Sequence, residues 1–183
     1  MKHVLPLLLA LLLLQGCIPG RIAPTISDYK ITKGKRFKRG LPKKTVFVFE
    51  DPKPAGHFYD YINTKFQLDD YYVDVQVPFS VANNNYFFSF YEVEIKDKSL
   101  NLFPALFNAV MNEALGSEEE EYISGRDVLE NENRYIAIEV FSSLEKDCLH
   151  EDYPSRKEVL VYLRDLKKEY LTTHNYNEVL FKD

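Results

Sequence analysis

The chain has 183 residues, 28% of them charged, and a formal net charge of −5. That acidity excludes a chain that holds nucleic acid through bulk positive charge. The charge is unevenly placed: residues 17–44 carry nine Lys/Arg and one acid, Asp28, for a net of +8, while residues 45–183 carry 13 basic and 27 acidic side chains, for a net of −14.

In chain order, Lys2 gives a short basic start, an apolar run follows from Val4 to Leu14, and Leu14-Gln15-Gly16-Cys17 closes it. A membrane-spanning helix needs roughly 20 apolar residues, so this shorter run has the layout of a secretory signal. The Leu14–Cys17 stretch resembles the lipobox of bacterial lipoproteins, in which a signal peptidase cuts before a cysteine that carries lipid. The resemblance covers residues 1–17 only. It implies that residues 1–16 are removed and that Cys17 is the N-terminus, bearing a diacylglycerol and a further acyl chain of the palmitate kind. At about 0.8 kcal/mol per buried methylene, such chains hold a protein on a bilayer almost permanently. It also implies a cell-envelope location, facing the periplasm from the outer membrane in a Gram-negative cell, since Ile18 rather than Asp follows the cysteine. With Cys17 acylated, Cys148 is left without a disulfide partner, and export separates the protein from nucleic acid.

Residues 17–44 contain Pro19, Gly20, Pro24, Gly34, Gly40 and Pro42 among few large apolar residues, and read as a basic flexible tether. The run Lys30–Lys44 is suited either to solvent, to anionic headgroups or to the acidic domain that follows. Residues 45–183 then read as a single α+β domain.

Thr45–Phe49 is β-branched and aromatic, and predicts a strand. Asp51-Pro52-Lys53-Pro54 opens a helix on which Phe58, Tyr61, Ile62 and Phe66 recur at helical spacing. Tyr71 to Val81 alternates, with Val73, Val75, Val77 and Phe79 on one face. Asn83-Asn84-Asn85 predicts a turn, and Tyr86 to Ile95 the returning strand of a hairpin. Ser99–Leu115 reads as a very apolar helix closed by Gly116, and Glu118–Glu121 as the start of an acidic loop. Arg134–Ser142 alternates as a strand. Ser155-Arg156-Lys157-Glu158 has the form of a capping box, and Val159, Leu163, Leu166 and Tyr170 supply the buried stripe of a last helix. The order βαββαβ, with an added C-terminal helix, predicts an antiparallel ferredoxin-like (split βαβ) sheet.

Three clusters are candidates for chemistry or binding. Cys17 is the lipidation site. Cys148 and His150, within Asp147–Asp152, are thiol, imidazole and carboxylate donors of the kind that bind zinc or copper, but they lack the second ligand pair of a structural zinc site. No glycine-rich nucleophile elbow surrounds Cys148. Tyr86, Phe88 and Phe90 on one hairpin face, and Tyr91 on the other, form a ligand surface if one face is exposed. The expectation is therefore a lipid-anchored, non-enzymatic envelope domain without metal or cofactor, binding a protein partner or an envelope polymer. The alternative is a small envelope hydrolase or thiol enzyme using Cys148 with a histidine.

Overall fold

A computed structural model describes residues 23–100 and 128–177. Five strands and three helices follow one another: β1 (Lys30–Lys33), α1 (Gly34–Phe37), β2 (Thr45–Glu50), α2 (His57–Phe66), β3 (Val77–Val81), β4 (Asn84–Leu100), β5 (Val128–Phe141) and α3 (Arg156–Thr172). The class is α+β, built on one five-stranded antiparallel sheet of order β1-β2-β5-β4-β3. The strand order departs from that of the expected ferredoxin-like (split βαβ) sheet. Two strands, β5 and β4, separate β2 from β3, whereas a split βαβ has one strand between them, and β1 adds an outer edge.

The chain divides into two compact units, and the larger comprises Thr25–Glu94 with Asn133–Asp183. Its core lies on one face of the sheet. Directly opposed residues share a face, so the pairs Phe47↔Ile138, Phe49↔Ile136, Val77↔Phe88 and Phe79↔Tyr86 all point inward. On this face α2 contributes Phe58, Tyr61 and Ile62, and α3 contributes Val159, Leu163, Leu166 and Tyr170. Phe58 is the hub, with ring centroids 4.8 Å from Phe90, 4.9 Å from Tyr170, 5.9 Å from Phe49 and 6.0 Å from Tyr61. The other face is covered near β2 as well: Val46, Val48, Tyr135 and Ala137 are buried, with Phe37 of α1 set edge-on against Tyr135 at 5.3 Å.

The C-terminal end of α3 is tied to the segment after β2. The buried Asp51 carboxylate accepts hydrogen bonds from the Tyr170 hydroxyl at 2.9 and 3.1 Å and from the Lys53 N–H at 3.0 Å. Lys53 donates its ammonium to the carbonyls of Tyr170 and Thr173, which the helix leaves unpaired, and lies 4.3 Å from the Tyr170 ring centre. Burial, acting against these hydrogen bonds, raises the pKa of Asp51.

Three expectations are corrected. Residues 25–44 are not a loose tether. β1 pairs with β2 in the register Lys30↔Val48 to Lys33↔Thr45, and the connection is closed by Gly34 N–H to Lys44 O and Lys35 N–H to Pro42 O, both 3.0 Å. Gly34 is needed there because a Cβ would sit 2.6 Å from the Pro42 carbonyl oxygen. The alternating stretch from Tyr71 becomes a strand only at Val77, and the hairpin turns on two residues, Ala82 and Asn83, both at positive φ, rather than on three asparagines. Ser99 and Leu100 belong to β4; the remainder of the helix expected at 99–115, the acidic loop and residues 1–17 lie outside the described residues.

In the smaller unit, Met1–Pro24 with Ile95–Glu132, the described residues include Lys96, 3.1 Å from the Glu132 carboxylate, and Ala23, whose N–H meets Asp97 Oδ1 at 2.7 Å.

Candidate interaction surface

Tyr86, Phe88 and Phe90 do not form a surface; they are 4%, 0% and 4% exposed and sit in the core. Alternation places them on one face without saying which face is covered, and α2 and α3 cover this one. Tyr91, on the opposite face, is half-buried and donates to Glu139 Oε1 at 2.9 Å. Burial, then the bond to Glu139 and its charge, push the Tyr91 hydroxyl up to about 12. Phe87 stacks on Phe141 beside it, with Lys44 4.7 Å from the Phe141 ring centre.

Cys148 and His150 are not brought together as a reactive pair. Cys148 is fully buried. Its Sγ faces the Glu145 carbonyl at 3.7 Å, with Ser142 and Ser155 as further hydrogen-bond partners. Burial and the Glu145 charge push the thiol up to about 11, the opposite of an activated nucleophile. His150 turns its Nδ1 to Asp152, 3.3 Å away, and His57 turns its own to the Tyr176 hydroxyl at 3.1 Å. Asp147 holds the start of β2, accepting from Thr45 N–H at 2.9 Å and Thr45 Oγ at 3.0 Å. Among the described residues no three His, Cys, Asp or Glu side chains converge as a metal site. A groove of about 480 Å³ between the 82–83 turn and the start of α3 is lined by Ser142, Glu145, Ser155 and Glu158, and by no histidine.

The feature the sequence reading missed is the loop between α2 and β3. Tyr71 is 71% exposed, Tyr72 63% and Val75 40%, whereas the other tyrosines and phenylalanines among the described residues are largely covered. The two rings meet edge to face, with centroids 4.3 Å apart. Exposed acids flank them in the chain: Asp69, Asp70 and Asp74. Their field reaches Tyr59, whose hydroxyl is pushed up first by burial and then by the charges of Asp70, Asp74 and Asp60.

This loop is held in one shape. Leu68 packs against the core and Val73 lies within it. The Asn63 amide, on the last turn of α2, bridges Asp70 twice, through Nδ2 to Oδ1 at 2.7 Å and from Asp70 N–H to Asn63 Oδ1 at 3.0 Å. Phe90 N–H reaches Asp74 O at 3.0 Å, and Gln76 N–H reaches Ser89 Oγ at 3.1 Å. Within ten residues, Gln67, Asp69, Asp70, Tyr72 and Gln76 all adopt left-handed backbone, with φ between 50° and 61°. Such conformations cost a non-glycine residue about 1 kcal/mol each, and for a bulky side chain such as Tyr72 they are outliers. Residues held in such conformations cluster at active sites, ligand clamps and switch regions. The signal in the sequence is Asp69-Asp70, two turn-forming residues directly before Tyr71-Tyr72, which breaks a strand at that point.

No family model, curated protein or solved structure matches the chain.

Proposed function

We propose that this protein is a lipid-anchored cell-envelope protein, attached through acylated Cys17, whose folded unit is a non-enzymatic interaction module. The observation that carries the binding role is the pair Tyr71 and Tyr72, held in the open on a rigid and strained loop. Tyrosine offers a large amphipathic surface at low conformational cost, and a loop already fixed in shape loses little freedom on binding. Asp69, Asp70 and Asp74, flanking the rings in the chain, favour a protein partner that presents an apolar patch rimmed by Lys or Arg. In a Gram-negative cell, the anchor and Ile18 favour the periplasmic face of the outer membrane.

A thiol enzyme using Cys148 is the weaker reading, because the thiol is buried, raised in pKa and, among the described residues, without a histidine partner. The test is capture from detergent-solubilised envelopes of the native cell, with wild type compared against Tyr71→Ala/Tyr72→Ala. The expected result is a discrete partner recovered by wild type and reduced at least tenfold in the variant, since truncating a hot-spot tyrosine typically costs about 2 kcal/mol. Equal recovery by both proteins, or none by either, contradicts the proposal.

A further inference from the structure

The connection between β1 and β2 carries six Lys/Arg in the eleven residues 34–44 and no acid. Being folded, it presents these charges from a fixed scaffold. Phe37 is pinned against Tyr135, Gly34 is locked under Pro42, and Lys38 N–H bonds to Gly34 O at 3.0 Å. Two of the cations are engaged within the protein: Lys38 donates to the Glu94 carbonyl at 3.0 Å, and Lys44 lies 3.2 Å from Glu139. The other four, Lys35, Arg36, Arg39 and Lys43, are exposed and make no ion pair among the described residues.

From these features we infer that the 34–44 loop docks on anionic lipid headgroups and sets the orientation of the domain on its membrane. The inference rests on the anchored reading and adds to it a second, electrostatic contact. Only seven residues lie between Cys17 and Thr25, the first residue of the larger unit. The eight steps from Cys17 to Thr25 span at most roughly 28 Å when fully extended. The anchor therefore keeps the start of the larger unit, nine positions before Gly34, within reach of the leaflet rather than at the end of a long tether. Four exposed cations without an intervening acid match a surface of negative headgroups, and one acyl anchor plus a basic patch is a physically sufficient pair of attachments. Docking there also leaves the tyrosine loop open. β1 and β3 are the opposite edges of the sheet. Four strand spacings of about 4.8 Å put those edges roughly 19 Å apart. Loop 67–76 leads into the far edge, and α2 and α3 cover the sheet face opposite to Phe37.

The test uses the acylated full chain reconstituted in vesicles of phosphatidylcholine alone or of phosphatidylcholine with phosphatidylglycerol. Lysines are modified with an amine-reactive acetylating reagent and read by mass spectrometry, with exposed Lys157 on α3 as the internal control. Flotation with neutral vesicles reports the anchor. Protection of Lys35 and Lys43 in anionic vesicles only, reversed by high salt, reports the docking. Each cation near such a surface is worth about fivefold, so Arg36→Gln/Arg39→Gln lowers the docked-to-free ratio roughly 25-fold and restores the reactivity of Lys35 and Lys43. A chain that floats but shows equal reactivity of these lysines in both vesicle types overturns the docking and leaves the anchor standing. Failure to float with neutral vesicles overturns the anchored reading, and the inference with it.

Discussion

Replacing Tyr72 with glycine separates a residue held for packing from one held for presentation. Tyr72 has φ of 51°, is 63% exposed, and its one ring contact among the described residues is with Tyr71, itself exposed. Glycine relieves about 1 kcal/mol of left-handed strain. Against this stand roughly 0.5–1 kcal/mol for the greater freedom of glycine in the unfolded chain and about 0.5 kcal/mol for a solvent-exposed ring contact. The terms nearly cancel, so Tyr72→Gly is expected within about 1 kcal/mol of wild type, a melting shift of less than about 4 °C for a chain of this size. Phe58→Ala is the contrast. Phe58 is fully buried and touches four rings, and its loss is expected to cost about 4 kcal/mol, roughly 8–16 °C. Thermal unfolding of the purified protein in mild detergent, followed by far-ultraviolet circular dichroism, measures both. A loss of more than about 2 kcal/mol in Tyr72→Gly would refute the reasoning, because the ring would then be structural.

Gly34→Ala forces a Cβ to 2.6 Å from the Pro42 carbonyl, so it is expected to destabilise by about 1–3 kcal/mol in urea titration, whereas in a loose tether it would be neutral. Asp51 has a raised pKa in the folded state, so the stability it contributes is present below its unfolded value near 3.9 and is lost as pH rises through the folded value. Relative to wild type, Asp51→Asn therefore gains stability from pH 3 to 7 in parallel unfolding titrations, and a relative loss over that range would reverse the assignment. With its thiol pushed up to about 11 and no exposed surface, Cys148 is expected to resist iodoacetamide at pH 8 in the folded protein and to react fully in urea; about one thiol in a thousand is ionised at that pH. Rapid labelling of the folded form would restore the thiol-enzyme reading.

Much of the fold was legible because its signals are periodic. The spacing of Phe58, Tyr61 and Ile62 marks the buried stripe of α2, and Val159, Leu163, Leu166 and Tyr170 that of α3. Even there one local expectation changes: Ser155 precedes α3, but its hydroxyl donates to the Glu145 carboxylate instead of capping the helix. The basic segment was not legible. Prolines, glycines and lysines carry the composition of a linker, and the features that fold it are a hydrogen-bonded loop closure, the stacking of Tyr29 on Phe47 and the seating of Phe37 on Tyr135, all tertiary. The aromatic surface was misplaced for a related reason. Alternation assigns residues to two faces but not the covering helices to either, so Tyr86, Phe88 and Phe90 were as eligible as Tyr91. Tyr71 and Tyr72 were hidden by the continuous-looking alternation from Tyr71 to Val81, which the left-handed residues at Tyr72 and Gln76 interrupt.

The central claim, that loop 67–76 holds a protein partner, is tested most directly by photocrosslinking in the native cell from a benzophenone amino acid at position 72. Position 161, where Val161 is exposed on α3, serves as the control. One discrete adduct is expected from position 72, lost when Tyr71 is also replaced by Ala, and absent from position 161. No adduct from position 72, or the same adduct from both positions, contradicts that claim.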